Sequence, residues 1–197
     1  MIADRSASMR HRLLDTTIAV LDEKGYGGTT TLEVQRRAGV SRGALLHHFG
    51  SRTELMLAAV NHLAQRRVDA MLRLVQSEAP TSGRIEWAVR VLWSQHDGPR
   101  FRASLAMWLA ARADSELLTA LLPQERVIGH SIRAVAAKLF GQEVAEADGF
   151  GDALDIALDA MRGAAARQVL RSPGSDERLV RLWTELLAHR VGTASHL

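Results

Sequence analysis

Thr29–Leu57, TTTLEVQRRAGVSRGALLHHFGSRTELML, is the stretch whose reading decides the fold. It divides into two short helices joined by a tight turn, followed by the start of a third helix. The turn is Ala38-Gly39-Val40-Ser41. Gly39 can take the positive φ that ends one helix, Val40 can pack inward, and Ser41 can cap the next. This is the chemistry of a helix-turn-helix, whose second helix enters the DNA major groove. The same turn also suits a helical hairpin with no role in DNA binding.

Each position of the second helix has a reading on the DNA hypothesis. Ser41 and the free N–H groups behind it suit a phosphate, because a helix N-terminus attracts anions. Arg42, at the first helical position, can reach a guanine edge or a phosphate. Gly43 and Ala44 are small and admit close backbone approach. Leu45 and Phe49, four apart, point to the core, whereas Leu46, His47 and His48 face the other way. The Thr30 hydroxyl and Arg52 are further phosphate contacts. His47 and His48 as a metal pair are disfavoured: adjacent helical side chains diverge, and no third ligand is evident. No metal site, catalytic residue or cofactor is expected.

Working outward, Leu13, Leu14, Ile18 and Leu21 recur at helical spacing, so residues 8–24 form a helix closed by Gly25. Tyr26-Gly27-Gly28 is then a loop. Thr30 with Glu33 and Ser51 with Glu54 are two capping boxes. The second opens a long helix with apolar positions Leu55, Ala59, Leu63 and Met71, ending near the Ala79–Gly83 loop. Helices are expected over 85–96, 101–113, 115–122, 123–140, 152–170 and 176–190, with breaks at Asp97-Gly98-Pro99 and Ser172–Ser175. No alternating β-branched run appears, so the chain is all-α.

Composition narrows the function. Residues 1–52 hold eight Lys/Arg against five Asp/Glu, and residues 53–197 hold seventeen of each. The positive excess therefore sits beside the helix-turn-helix, as expected of a phosphate-binding head. There is no cysteine, which excludes disulfides and thiolate chemistry. No apolar run is long enough for a membrane span, and the first twelve residues lack a signal-peptide core. A cytoplasmic protein with no membrane partner is expected.

The C-terminal part has apolar surface to spare. Between 152 and 170, Leu154, Leu158, Met161, Ala165 and Val169 form a large-residue stripe, and Ala153, Ala157, Ala160 and Ala164 a small-residue one. In the last helix, Leu179, Trp183 and Leu186 form one stripe, and Val180, Leu187 and Val191 another. Pairing with a second copy would bury both sides, and Ala153, Ala157, Ala160, Ala164, Val180 and Leu187 are the candidate dimer face. Ordinary core is the alternative use of the same stripes. Trp93, Phe101, Met107 and Trp108 are candidate walls for a mostly apolar effector, though such groups equally suit a core.

The block Leu13–Leu57 resembles the TetR family of transcriptional regulators. The resemblance rests on Leu13-Leu14, Ile18, Gly25-Tyr26, Thr29-Thr30, Arg37–Leu45, His48-Phe49 and Ser51–Leu55. It implies a homodimer with a DNA-binding head at residues 1–52 and a helical ligand-binding and dimerisation body at 53–197. Its partners would be a double-stranded DNA operator and a small-molecule effector. Three positions depart from the family: Leu46 stands where Tyr is usual, and Gln35 and Thr17 where Ala is usual. Repression is the expected mode; activation and an effector-independent structural DNA-binding role are the alternatives.

Overall fold

A computed structural model describes residues 2–96, 98–170 and 175–192. Among them are ten α-helices and no strand: α1 (Ile2–Gly28), α2 (Thr31–Ala38), α3 (Arg42–His48), α4 (Arg52–Glu78), α5 (Arg84–Ser94), α6 (Pro99–Ala111), α7 (Ser115–Phe140), α8 (Gln142–Ala145), α9 (Phe150–Ala166) and α10 (Ser175–Arg190). The all-α expectation holds. The expected breaks at Asp97 and at residues 172–174 lie outside the described residues.

Packing groups the chain into two compact units. The first takes Met1–Arg66 and Gly98–Ile128; the second takes Arg67–Asp97 and Gly129–Leu197. Both α4 and α7 therefore contribute residues to each unit. The boundary expected at 52/53 coincides with the first residue of α4.

In the first unit, the apolar stripe of α1 meets the helix-turn-helix. Leu13, Leu14, Leu21, Val34, Leu45, Phe49, Leu55 and Met56 form a buried cluster, joined by Met107, Leu117 and Leu121. Helix α1 packs most extensively on α6, and Arg102 of α6 grips Asp22 of α1 through Nε at 2.6 Å and Nη2 at 3.0 Å. Helix α1 starts earlier than expected because residues 2–7 contain no glycine or proline to stop it. It turns sharply at Gly25, whose φ of 64° and ψ of −176° are not helical. Tyr26–Gly28 continue as a helical turn beyond this kink rather than as an open loop. Thr17 is fully buried and donates its hydroxyl to the Leu13 carbonyl at 2.8 Å.

Two proline positions differ from expectation. Pro99 opens α6 instead of breaking the chain before it, since the first helical turn needs no N–H from that residue. Pro123 lies inside α7, which runs unbroken from Ser115 to Phe140. It sits on an exposed face, so the carbonyl left without a donor can meet solvent, while Leu117 and Leu121 stay buried.

The second unit is built around α5, α9 and α10. Val89, Leu92, Trp93, Leu154, Leu158, Met161, Val180, Trp183 and Leu187 are buried there. The Trp93 and Trp183 rings lie 5.1 Å apart. Arg84, at the start of α5, donates to the carbonyls of Lys138 and Leu139 at 2.8 Å each and so caps the end of α7. Helix α5 ends at Ser94, two residues short of expectation, because the amides of Gln95 and His96 bond three residues back. Helix α9 ends at Ala166, and a short 3-10 turn covers Gln168–Leu170.

Candidate nucleic-acid interface

The turn has the geometry that its residues dictate. Gly39 adopts φ 64° and ψ 41°, the left-handed region that favours glycine. Its amide donates to the Arg36 carbonyl at 3.3 Å, and that of Val40 to the Gln35 carbonyl at 3.1 Å. Ser41 is extended (φ −74°, ψ 157°), and its Oγ accepts from the Ala44 amide at 3.2 Å. Val40 is partly buried against the core of the first unit. Thus α2 ends, the chain reverses, and α3 starts capped within three residues.

Helix α3 then divides by face. Leu45 and Phe49 are buried in the first unit. Ser41, Arg42, Gly43, Leu46 and His47 are exposed, and Ala44 and His48 half-buried. Leu46 is 45% exposed, so it offers an apolar side chain to whatever meets this face. Arg42 pairs with no carboxylate among the described residues. The His47 and His48 rings diverge at 66°, with centroids 5.5 Å apart.

Arg52 has a different surrounding from the one its sequence position suggests. Its Nε donates to the Thr29 carbonyl at 2.7 Å, its Nη2 donates to the Tyr26 carbonyl, and its guanidinium lies over the Tyr26 ring. At least two donors of the expected phosphate clamp are thus turned inward, where they brace the loop between α1 and α2. Thr30 caps α2 by accepting from the Glu33 amide at 3.1 Å, which leaves its hydroxyl proton for an outside acceptor.

The capping box at Thr30 is only half formed. The Glu33 carboxylate does not return to the cap; it meets Lys24 at 3.0 Å, Arg36 at 3.1 Å and Arg37 at 2.6 Å. Arg36 first, then Lys24 and Arg37, hold its pKa down at about 2. Arg37 also pairs with Glu23 at 2.6 Å. Three cations of the basic head therefore converge on one carboxylate. The spacing of Glu33, Arg36 and Arg37, three and four residues apart, carries the signal in the sequence. At Ser51 the box is shifted by one: Ser51 Oγ accepts from the Glu54 amide at 3.0 Å, and the Glu54 carboxylate accepts from the Gly50 amide at 2.8 Å.

The candidate effector walls are not brought together in one unit. Phe101, Met107 and Trp108 belong to the first, where Met107 and Trp108 pack with the head's core and the Phe101 and Trp108 rings meet edge to face. Trp93 belongs to the second, beside Trp183 and His96. Their apolar stripes were used for packing between helices.

The candidate dimer face divides too. Ala153 and Ala157 are buried, as are Val180 (2% exposed) and Leu187 (0%), all inside one chain. Ala160 is exposed and Ala164 half-buried. The apolar groups that α9 and α10 leave outside are instead Ile156 (58% exposed) and Leu182 (46%), with Leu179 and Leu186 half-buried. Ile156 and Leu182 were missed in the sequence. Leu179, Leu182 and Leu186, at i, i+3 and i+7, carried the signal.

A family pattern described as bacterial regulatory proteins, tetR family, matches residues 13–59. The HTH-type transcriptional regulator BetI of Paraburkholderia phymatum is 31% identical over 102 residues, about half of each chain. An uncharacterized HTH-type transcriptional regulator of Mycobacterium tuberculosis is 27% identical over 180 residues, 89% of this chain and 91% of its own. Among solved structures, the multidrug binding protein EbrR complexed with imidazole superposes with a TM-score of 0.58 at 27% identity, over 90% of this chain and 93% of that one.

Proposed function

Because this chain is a TetR-family transcriptional regulator and not an enzyme, we propose that it represses transcription by binding a palindromic operator as a homodimer and releases it when a small molecule binds. The observation that carries this is α3: a helix capped at Ser41, anchored by Leu45 and Phe49, and presenting Arg42, Gly43, Ala44, Leu46 and His47 outward. Such a helix fits a major groove, with Arg42 at its entry reading a base edge or phosphate. Thr30, Ser41 and His48 contact the backbone. Arg52 acts at one remove, by holding the loop that leads into α2.

Two α3 helices of a dimer would sit about 34–36 Å apart, one turn of DNA. Ile156, Ala160 and Leu182, with Leu179 and Leu186, form the surface on which a second copy pairs. The likeness to EbrR, a multidrug binding protein, supports an effector site, and the bulky apolar content of the chain suits a mostly apolar molecule. Helix α4 supplies residues to both compact units and is the element through which effector binding reaches the head. Coupling of about 1–3 kcal/mol would separate the bound and released states. No helix among the described residues is long and apolar enough to cross a membrane, in keeping with a cytoplasmic regulator.

Selection of duplexes from a random pool by the purified protein tests this reading. Recovery of an inverted repeat with half-sites one helical turn apart is expected. Recovery of unrelated sequences with no symmetry would overturn the operator and the dimer together.

A further inference from the structure

We propose that Glu33 restrains DNA binding: its carboxylate occupies the seat that Lys24, Arg36 and Arg37 form for an anion, and a DNA phosphate must displace it. The inference rests on the DNA-binding reading above and adds to it a residue that weakens the interaction.

Three observations carry it. First, the carboxylate takes no part in the N-cap of α2. The cap at Thr30 uses the Glu33 backbone amide, so the side chain was free to leave the capping box. Second, it has left for cations on two helices. Lys24 comes from the end of α1, and Arg36 and Arg37 come from the last turn of α2, all within 3.1 Å of Glu33 Oε1. A single oxygen bound by three cationic groups is an occupied anion site, and the depressed pKa of Glu33 is what such a site produces. Third, the seat lies on the helix that precedes α3. In a helix-turn-helix that helix crosses the phosphate backbone. Arg36 is largely exposed, and both it and Arg37 can turn outward, since each joins Glu33 only through the end of a long side chain. Glu23, on α1, holds Arg37 from the other side at 2.6 Å and acts in the same sense.

The physical consequence is an exchange of anions. In the free protein two carboxylates, Glu33 and Glu23, offset part of the positive charge of these three cations. On DNA a phosphate oxygen can take the place of the carboxylate, but only against the attraction already satisfied. Removing the negative charge leaves the cations for phosphate. Each added phosphate contact steepens the dependence of log K on log salt by about 0.9.

The test measures binding of a labelled random-sequence duplex to the full-length protein between about 50 and 200 mM salt. Glu33→Gln keeps the backbone cap and most of the side-chain shape. It is expected to bind several-fold more tightly at the low-salt end and to steepen the slope by about one. Glu33→Asp, which keeps the charge, should stay near the wild type. Glu23→Gln, on a separate helix, should shift the same way by less, and it keeps the proposal open to test should Glu33→Gln fold poorly. Unchanged or weaker binding with an unchanged slope in the folded Gln variants would overturn the restraint. A wild-type protein with no salt-dependent affinity for any duplex would instead overturn DNA binding itself.

Discussion

The Arg52 guanidinium lies 4.3 Å from the centre of the Tyr26 ring, where the first turn of α4 meets the last turn of α1. From that position Nε donates to the Thr29 carbonyl at 2.7 Å, and Nη2 reaches the Tyr26 carbonyl. A charged donor fork and an aromatic face thus fix two carbonyls that the kink at Gly25 leaves outside regular helix. Arg52→Ala is expected to lower unfolding stability by about 2 kcal/mol, since hydrogen bonds to a charged group contribute about 1.5–3 kcal/mol. Arg52→Lys should recover little of it, because an ammonium cannot reproduce the fork. Urea denaturation of the two variants reads this directly. A wild-type midpoint together with a flattened salt dependence of DNA binding would return Arg52 to the role of phosphate clamp.

Arg42 is the contrasting case. It is exposed at the first position of α3 and joined to no carboxylate among the described residues, so its donors face outward. Arg42→Ala should leave the melting temperature unchanged. Its operator affinity should fall by about 1–3 kcal/mol, with relaxed preference at one base position. Uniform weakening across all duplexes would place it on phosphate instead. An unchanged affinity would remove α3 from the groove.

How far these roles could be read without coordinates depended on whether the deciding partner was near in sequence. The Gly39 turn, the Ser41 cap and the inward pair Leu45 and Phe49 are local, and each follows from backbone conformation or a spacing of four. Arg52 binds carbonyls 23 and 26 residues away, which no spacing encodes. Phe101, Met107 and Trp108 illustrate the same limit: an apolar stripe says that a helix is covered, not by what. Pro123 misled for another reason. A proline ends a helix by removing one bond and crowding one carbonyl, and both are tolerated on the exposed side of a helix that its neighbours bury.

His96 gives the second unit a pH dependence of definite sign. It is buried, its Nδ1 donates to the Leu92 carbonyl at 2.9 Å, and its ring stacks on Trp93. Burial first, and then the positive charges of Arg67 and Arg162, lower its pKa to about 4 from 6.5. Between those values the unfolded chain takes up a proton that the folded chain refuses. Stability from this group is therefore complete above about pH 6.5 and falls as the pH drops towards 4, by up to about 3 kcal/mol. His96→Phe keeps the aromatic stack and cannot titrate. Its unfolding free energy should lose less than the wild type's between neutral pH and pH 4.5, and parallel curves for the two proteins would refute the assignment.

On the proposed pairing surface, the outer faces of α9 and α10 separate assembly from folding. Leu187 is fully buried within one chain, so Leu187→Ala should cost about 2–5 kcal/mol of stability through the lost contacts and the cavity left behind. Ile156 and Leu182 are exposed, and neither belongs to the fully buried core. A charge placed on that surface would be stranded wherever a second copy covers it. Ile156→Glu and Leu182→Glu should therefore keep the helical circular-dichroism signal while sedimentation equilibrium shifts from dimer to monomer. Operator affinity should fall in step, because one head engages only one half-site. Dimers that persist in both variants would move the pairing surface away from these two residues, and a variant that unfolds would show that they support the core of the single chain.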